Sequence, residues 1–186
     1  MRSKKKKEQL VDTALRLFCH HGFRAIGVDT ILAEAGVAKM TLYNNFGSKE
    51  ALILAALKKR DEEHIAWLAA ETEARAAAPE DRLLTLFEAL DAWFAGGDFH
   101  GCPFLKASDE FDNQDDPIHR AALEHKGHLL GLIREYAGAA GAPDPGRLAG
   151  EIYLLVEGAT VVAQLTDDRS TAARARQAAE ALLAAG

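Results

Sequence analysis

The sequence contains few β-branched residues, only two cysteines and no proline in its first 78 positions. Valine and isoleucine total 13 of 186 residues, whereas alanine and leucine total 60. Because strands favour β-branched residues and helices favour alanine and leucine, this composition predicts an all-α fold. The two cysteines, Cys19 and Cys102, provide neither a disulfide framework nor a zinc site. All five prolines lie at or after position 79, so no proline interrupts a helix before it.

The chain also lacks the marks of membrane insertion, export and catalysis. No apolar run approaches the ~18 residues that cross a bilayer. The basic stretch Met1 to Lys7 is followed by amphipathic sequence, not by the apolar block of a secretory signal. We therefore expect a cytoplasmic protein without membrane contact. Serine triads, phosphate loops, dinucleotide fingerprints and recognisably spaced carboxylate pairs are missing, which argues against an enzyme.

Charge is distributed unevenly along the chain, although the net charge is −6. Residues 1–60 hold 12 Lys/Arg and 5 Asp/Glu, a net of +7, whereas residues 61–186 carry a net of −13. A basic segment attracts polyanions such as nucleic acid. Lys4 to Lys7 could act only as a solubilising tail, but removing them still leaves +3 on the N-terminal segment. The asymmetry therefore favours nucleic-acid binding by residues 1–60.

Apolar periodicity and helix-stop residues predict about nine helices. They cover residues 4–20, 28–35, 38–46, 49–77, 80–95, 104–111, 118–140, 147–166 and 170–185. Gly22, Gly36 and Gly47 end the first three, and Ser48 offers a side-chain cap to the fourth. The fourth helix crosses the charge boundary, so we expect a helical connection there and not a flexible linker.

Residues 22–52 carry the most informative pattern. Two short helices joined at Gly36-Val37, the second tipped with polar residues, are the layout of a helix-turn-helix, whose second helix enters the major groove. Ala33 is small where the two helices are expected to approach. The side chains expected to pack beneath them are Val28, Ile31, Leu32, Val37, Leu42 and Phe46. The side chains left to bond phosphates and base edges are Lys39, Thr41, Tyr43 and Asn44. A solvated helical hairpin would show the same spacing.

The segment from Gly36 to Glu50, GVAKMTLYNNFGSKE, resembles the recognition segment of TetR-family transcriptional regulators. Ala14 to Phe18, Gly22-Phe23 and Ile31 to Gly36 fit the same family. The resemblance is detailed over about residues 5–57, and beyond them only the length and the helical plan agree. It implies an N-terminal three-helix DNA-binding domain, residues 1–48, and a C-terminal helical ligand-binding and dimerisation domain, residues 49–186.

The resemblance further implies a homodimer that binds a palindromic operator, most often as a repressor released by a small-molecule effector. The DNA contacts it implies come from Thr30, Lys39, Met40, Thr41, Tyr43, Asn44 and Lys49. Tyr43 and Lys49 would bond phosphates. Family members often carry a hydroxyl residue where Ile26 and Gly27 stand, and Ser or Thr where Ala38 stands. We therefore expect weak side-chain caps on both short helices.

The C-terminal part is expected to hold an effector chamber and the dimer interface. A chamber needs apolar walls and a few polar groups, for which the candidates are Trp67, Trp93, Phe94, Cys102, Phe104, Phe111, His125, His128, Tyr153 and Glu157. An ordinary core would use the same aromatic residues. Because the family pairs its last two long helices across the dimer, the implied interface residues are Leu155, Ala159, Val162, Ala175, Ala179 and Leu182.

Two other functions remain open on the sequence alone. A helical protein-binding adaptor without DNA binding would explain the amphipathic helices, but not the basic N-terminal segment. A metal-dependent sensor could use His119, His125 and His128, because residues three apart on a helix can chelate one ion. No cysteine-rich cluster accompanies them, so we expect neither metal nor cofactor. Cys102 could sense oxidants only with a lowered pKa.

Overall fold

The fold is all-helical throughout the residues that the computed structural model describes, which are 2–166, 168 and 170–185. The all-α prediction and the number of helices are confirmed for this part of the chain. A short 3-10 turn, Pro79–Asp81, precedes α5. The nine helices are α1 Arg2–His21, α2 Val28–Ala35, α3 Lys39–Phe46, α4 Lys49–Arg75, α5 Arg82–Ala95, α6 Pro103–Glu110, α7 Pro117–Ala139, α8 Pro145–Thr166 and α9 Thr171–Ala185.

The glycines predicted to end the first three helices do so. Gly22 and Gly36 have φ of +85° and +60°, in the region that side chains disfavour. The Gly36 and Val37 N–H groups donate to carbonyls of the last turn of α2, both at 3.2 Å. At the start of α4 the Ser48 Oγ accepts the Ala51 N–H at 3.1 Å, which confirms the predicted cap.

The chain divides into two compact units whose boundaries do not follow chain order. The first contains residues 1–62 and 102–125, and the second contains residues 63–101 and 126–186. Helices α4 and α7 contribute to both, and α4 is continuous across the charge boundary. Helix α6 therefore packs with the N-terminal helices, although it lies in the stretch predicted to form the second domain. The functional boundary after residue 48 stays a prediction.

The core of the first unit is formed by α1, α2, α3 and the first part of α4, together with α6 and the start of α7. Ile31, Leu32 and Leu42 are buried there as predicted, and the remaining predicted residues pack against them half-buried, namely Val28, Val37 and Phe46. The role expected for Ala33 is wrong, because its side chain is exposed. Ala35 is buried in its place, since it shares a helical face with Ile31 and Leu32.

The core of the second unit is formed mainly by α5, α8 and α9, together with Leu68 of α4 and the second half of α7. It contains three of the six residues expected at the dimer interface, Ala159, Ala175 and Ala179, so these side chains have almost no surface to offer a partner. Leu155 and Leu182 are half-buried against the same core. Val162, the sixth expected residue, is 40% exposed, and it shares an uncovered apolar face of α8 with Leu154 (70%) and Leu165 (76%).

Helix α8 is also long and apolar enough to cross a membrane by length and composition, which corrects the expectation that no segment is. Only 39% of its most apolar 18-residue window is buried in the chain. Core helices of globular proteins pass the same test, so the finding identifies α8 as an apolar helix with an uncovered face and not as a membrane span.

The two short helices begin without a side-chain cap, at Gly27 and Ala38. Ala38 already has the extended backbone of a capping residue, φ −71° and ψ 150°. We therefore expect Ala38→Ser to raise the free energy of unfolding by about 1 kcal/mol in urea titrations followed by circular dichroism. The matched change Gly27→Ser should give only a few tenths of a kcal/mol. Equal gains at both positions would contradict this account of the caps.

Candidate nucleic-acid interface

Helix α3 presents a polar outer face and an apolar inner one. Lys39, Met40, Tyr43 and Asn44 are exposed, Met40 by 63% and Tyr43 by 44%, while Leu42 is fully buried on the opposite side. Their spacing of one, three and four residues places the four exposed side chains on one face of the helix. The structure therefore gathers ammonium, thioether, phenol and amide groups on one surface, which can make both polar and apolar contacts.

The two threonines predicted to contact DNA are not on the exposed face of α3, and Lys39 already lies near a carboxylate. Thr30 is exposed on α2, and Thr41 is half-buried, with its carbonyl accepting the Asn45 Nδ2–H at 2.7 Å. Lys39 Nζ lies 3.5 Å from the Asp29 carboxylate, but both side chains are mostly exposed. Such surface ion pairs contribute little, so the Lys39 ammonium can exchange Asp29 for another anion.

Lys49 is held in place by the protein itself. Its Nζ donates to the Phe23 carbonyl at 2.6 Å, so one of its three N–H donors bonds the turn between α1 and α2. Partial burial lowers the pKa of its ammonium. In the same turn of α4, the backbone N–H of Glu50 and the Ser48 hydroxyl lower the pKa of the Glu50 carboxyl.

A carboxylate from α6 holds the other side of the same turn. Glu110 Oε1 accepts the Phe23 N–H at 2.8 Å, and its Oε2 accepts the Arg24 N–H at 2.6 Å. A Cβ at Gly22 would lie 2.5 Å from Oε1, so a side chain there would displace the Glu110 carboxylate as well as strain the positive φ. Sequence reasoning missed Glu110, because it lies 87 residues from Phe23 and leaves no local pattern.

Two further residues, one in α6 and one directly after it, contact the end of α1 and the turn that follows it. Lys106 Nζ donates to the Cys19 carbonyl at 2.6 Å. The Phe111 ring, directly after α6, lies 5.1 Å from the Arg24 guanidinium and 6.4 Å from the Phe23 ring. Helix α6 thus contacts the segment that leads into the helix-turn-helix. Burial raises the pKa of the neighbouring Cys19 thiol, which makes it a poor nucleophile.

The residues predicted to line an effector chamber are divided between the two units. In the first, Cys102 and Phe104 are buried and Phe111 is half-buried. His125 is buried as well; its ring stacks on Phe104 with centroids 3.6 Å apart, and its Nδ1 lies 2.8 Å from Asp61 Oδ1. These four candidates are therefore parts of a packed group on α6 and α7.

The other six candidates belong to the second unit. Trp93 contacts Phe94 and also two residues that sequence reasoning missed, His64 and Phe99, at centroid distances of 4.6 and 5.0 Å. Trp67 stacks on His64. Glu157 pairs with Lys126, both of its oxygens 2.7 Å from Nζ. Tyr153 is half-buried and His128 is exposed.

No metal centre is formed by the part of the chain that the structure describes, since no three His, Cys, Asp or Glu residues converge there. His119 Nδ1 lies 2.8 Å from the Phe111 carbonyl. His125 is buried with its Nδ1 at the Asp61 carboxylate, while His128, three residues on, is exposed, so the two imidazoles lie in different environments. A small cavity of about 150 Å³ elsewhere in the second unit touches none of the predicted chamber residues and is lined by residues 140–144, Arg147, Leu148, Leu182 and Leu183.

Comparison with known proteins accounts for most of the chain. Residues 10–56 match the family of bacterial regulatory proteins described as tetR family, and residues 79–179 match the tetracycline repressor-like C-terminal domain. The second match alone covers more than half of the sequence. The chain belongs to the TetR family. The members of this family are transcriptional regulators that bind DNA, and the resemblance predicted from residues 36–50 is confirmed.

Individual relatives agree with this assignment. SCO4454, a TetR-family transcriptional regulator from Streptomyces coelicolor, has a TM-score of 0.89 and 28% identity, with 97% of this chain and 95% of that one covered. The HTH-type regulator YjdC of Escherichia coli is 22% identical over 82% of this chain and 80% of its own length. YerO of Bacillus subtilis is 45% identical, but over only 27% of this chain and 18% of YerO. The similarity to YerO is thus higher than that to YjdC but confined to a short segment.

Glu110 provides a test of how the helix-turn-helix is held. Glu110→Ala removes two charge-assisted bonds, so we expect faster amide hydrogen exchange in residues 20–27 of the TetR-family protein, by about tenfold or more. The measurement is hydrogen exchange followed by mass spectrometry. Asp109→Ala changes the same charge on the adjacent exposed residue and should leave that peptide unchanged. Identical exchange in both variants would show that α6 does not hold the turn.

Proposed function

We propose that this protein is a homodimeric repressor that binds a palindromic operator and releases it when a small molecule binds. The exposed polar face of α3 is the observation that supports DNA binding. Lys39, Met40, Tyr43 and Asn44 are exposed there, and Leu42 anchors the helix from behind. A helix-turn-helix offers such a face to the major groove. The +7 charge of residues 1–60 would attract the phosphate backbone.

The side chains on this face suit different contacts with base edges. The Asn44 amide can bond adenine through two hydrogen bonds, and the Lys39 ammonium can donate to guanine. The Met40 side chain is apolar and exposed, which suits contact with a thymine methyl group. We assign sequence reading to these three residues.

The hydroxyl groups suit the phosphates. Tyr43 on α3, Thr41 beside it and Thr30 on α2 are assigned to the DNA backbone. Lys49 is assigned to a phosphate through the two ammonium donors that the Phe23 carbonyl leaves over. These contacts would fix the register of the protein on the duplex without reading its sequence.

Two substitutions separate these roles. Asn44→Ala should weaken binding to the operator by about 10- to 100-fold, because a base contact contributes about 1–3 kcal/mol, and should leave binding to unrelated DNA unchanged. Tyr43→Phe should weaken both by a similar factor of about ten. Fluorescence anisotropy with the two duplexes measures both affinities. The exposed amide of Gln114 provides the control, since Gln114→Ala should change neither. Equal losses on both duplexes for Asn44→Ala would refute its assignment to base edges.

The first experiment is binding of the purified protein to DNA from upstream of its own gene at two salt concentrations. A regulator should prefer this DNA to an unrelated duplex and bind less tightly at the higher concentration, because phosphate contacts release counterions. A protein-binding adaptor would show no such preference. Absence of preferential binding at low salt would count against the proposed function.

The proposed dimer uses the uncovered faces of α8 and α9. Leu154, Gly158, Val162 and Leu165 follow one another along one exposed face of α8. The outer side of α9 is lined by small residues, Ala178, Ala181 and Ala184, which would permit close approach of a second copy. A palindromic site needs two recognition helices related by a twofold axis. This face replaces the buried alanines expected from the sequence.

Charge on this face tests the dimer. The double variant Leu154→Glu and Val162→Glu places carboxylates in the proposed interface, so we expect monomers at micromolar concentration and operator binding weakened at least tenfold. Size-exclusion chromatography with light scattering gives the mass. Leu123→Glu, an equally drastic change at an exposed leucine of α7, should leave the dimer intact. An unchanged dimer mass for the double variant would exclude this face.

The proposed response to an effector rests on α6. This helix and its flanking residues carry three chamber candidates, Cys102, Phe104 and Phe111, and its last residue, Glu110, bonds the turn before the helix-turn-helix. An effector that moved α6 would withdraw Glu110 from that turn and loosen the helices that follow. We place this regulator in the cytoplasm, with its DNA, and assign it no metal, cofactor or catalytic step.

A further inference from the structure

Four consecutive lysines form an unpaired basic surface on the first two turns of α1. Helix α1 begins at Arg2, so Lys4–Lys7 are helical and not an unstructured tail. All four side chains are exposed. Within the described residues, no carboxylate forms an ion pair with any of them. We call these four residues the lysine surface.

The lysine surface does not stabilise the helix that carries it. The first turn of α1 contains no acidic residue, and cations at a helix N-terminus are unfavourable because they oppose the macrodipole. Lys4 and Lys7 also repel each other across one turn. Within the part of the chain that the structure describes, only Lys7 has a contact that offsets this cost, with the Phe46 ring, so the arrangement as a whole works against the fold and indicates a role in binding.

Lys7 connects this surface to the recognition helix. Its Nζ lies 5.4 Å from the centre of the Phe46 ring, and Phe46 is the last residue of α3. Phe46 is half-buried against the core of the first unit, so the position of the ring is fixed by packing. The lysine surface therefore begins where the polar face of α3 ends.

We propose that Lys4–Lys7 bind the phosphate backbone of the duplex beside the half-site that α3 reads. This inference rests on the proposed function and adds a second, sequence-independent contact to it. Phosphodiester oxygens are the groups that a row of ammonium ions binds without directional demands. An anionic membrane is the less suitable partner, because the apolar side of α1, with Leu10, Val11 and Ala14, is buried in the protein core and cannot enter a bilayer.

The contact has a quantitative signature in salt. Each phosphate that a protein neutralises contributes about 0.9 to the slope of log K against log salt concentration on duplex DNA. Replacing all four lysines by glutamine in the full-length protein should therefore lower the magnitude of that slope by about 2 to 4. Affinity for the operator and for an unrelated duplex should fall by the same factor, so that the ratio between them stays constant.

The experiment measures fluorescence anisotropy of both duplexes over a range of KCl concentrations. The matched control replaces Arg75, Arg120, Arg134 and Arg147 by glutamine, which removes the same charge from exposed positions outside residues 1–60. The control should keep the wild-type slope. A variant with arginine at positions 4–7 should restore it. Thermal melting should show the glutamine variant about as stable as the wild type, because relief of the repulsion at the helix end offsets the loss of the Lys7–Phe46 contact.

Each outcome decides between clear alternatives. A wild-type slope in the glutamine variant, or an equal loss in the control, would overturn the proposal. So would tighter binding of the wild type to phosphatidylserine vesicles than to the unrelated duplex. If the wild type shows no preference for any operator, the proposed function fails, and the unrelated duplex at low salt still decides whether the lysine surface binds phosphates.

Discussion

An eight-residue helix such as α3 is not stable in water by itself, so its orientation depends on what holds it from behind. Leu42 is the one side chain of α3 that is fully buried, and Val37 and Phe46 flank it at the two ends. With no side-chain cap at Ala38, packing around Leu42 is the main constraint on the helix. The direction in which the polar face points follows from this contact.

The same unit is held at a second place by two charged side chains that meet at one residue. The Glu110 carboxylate accepts the backbone N–H of Phe23, and the Lys49 ammonium donates to the backbone carbonyl of Phe23. One of these residues ends α6 and the other begins α4, so the short turn before the helix-turn-helix is linked to two distant parts of the chain. A polar bond of this kind needs correct geometry on both sides, and it is weakened by small displacements that an apolar contact would tolerate.

Features set by local chemistry could be predicted from the sequence. The glycines at 22 and 36 mark the helix ends correctly, because a positive φ is a property of the residue itself, and the bounds of α2 were predicted to the residue. Contacts between residues far apart in the sequence could not be predicted. No sequence pattern around Glu110 indicates that its carboxylate bonds Phe23, 87 residues away. For the alanines of α8 and α9, burial could not be predicted from the sequence for a third reason. Alanine suits both a buried helix contact and an exposed one, so Ala159 and Ala179 gave no indication of which face was covered.

The close approach of Gly22 and the Glu110 carboxylate couples the effects of amino-acid substitutions at these two positions. Any side chain at position 22 would overlap the Glu110 carboxylate, whose Oε1 lies 2.5 Å from where the first carbon would stand. A mutation at position 22 therefore becomes less harmful only in a background where residue 110 has already been shortened. In the reverse order the intermediate carries both the overlap and the strain of its φ of +85°. The two positions are thus epistatic, because the cost of a side chain at position 22 depends on which residue stands at position 110.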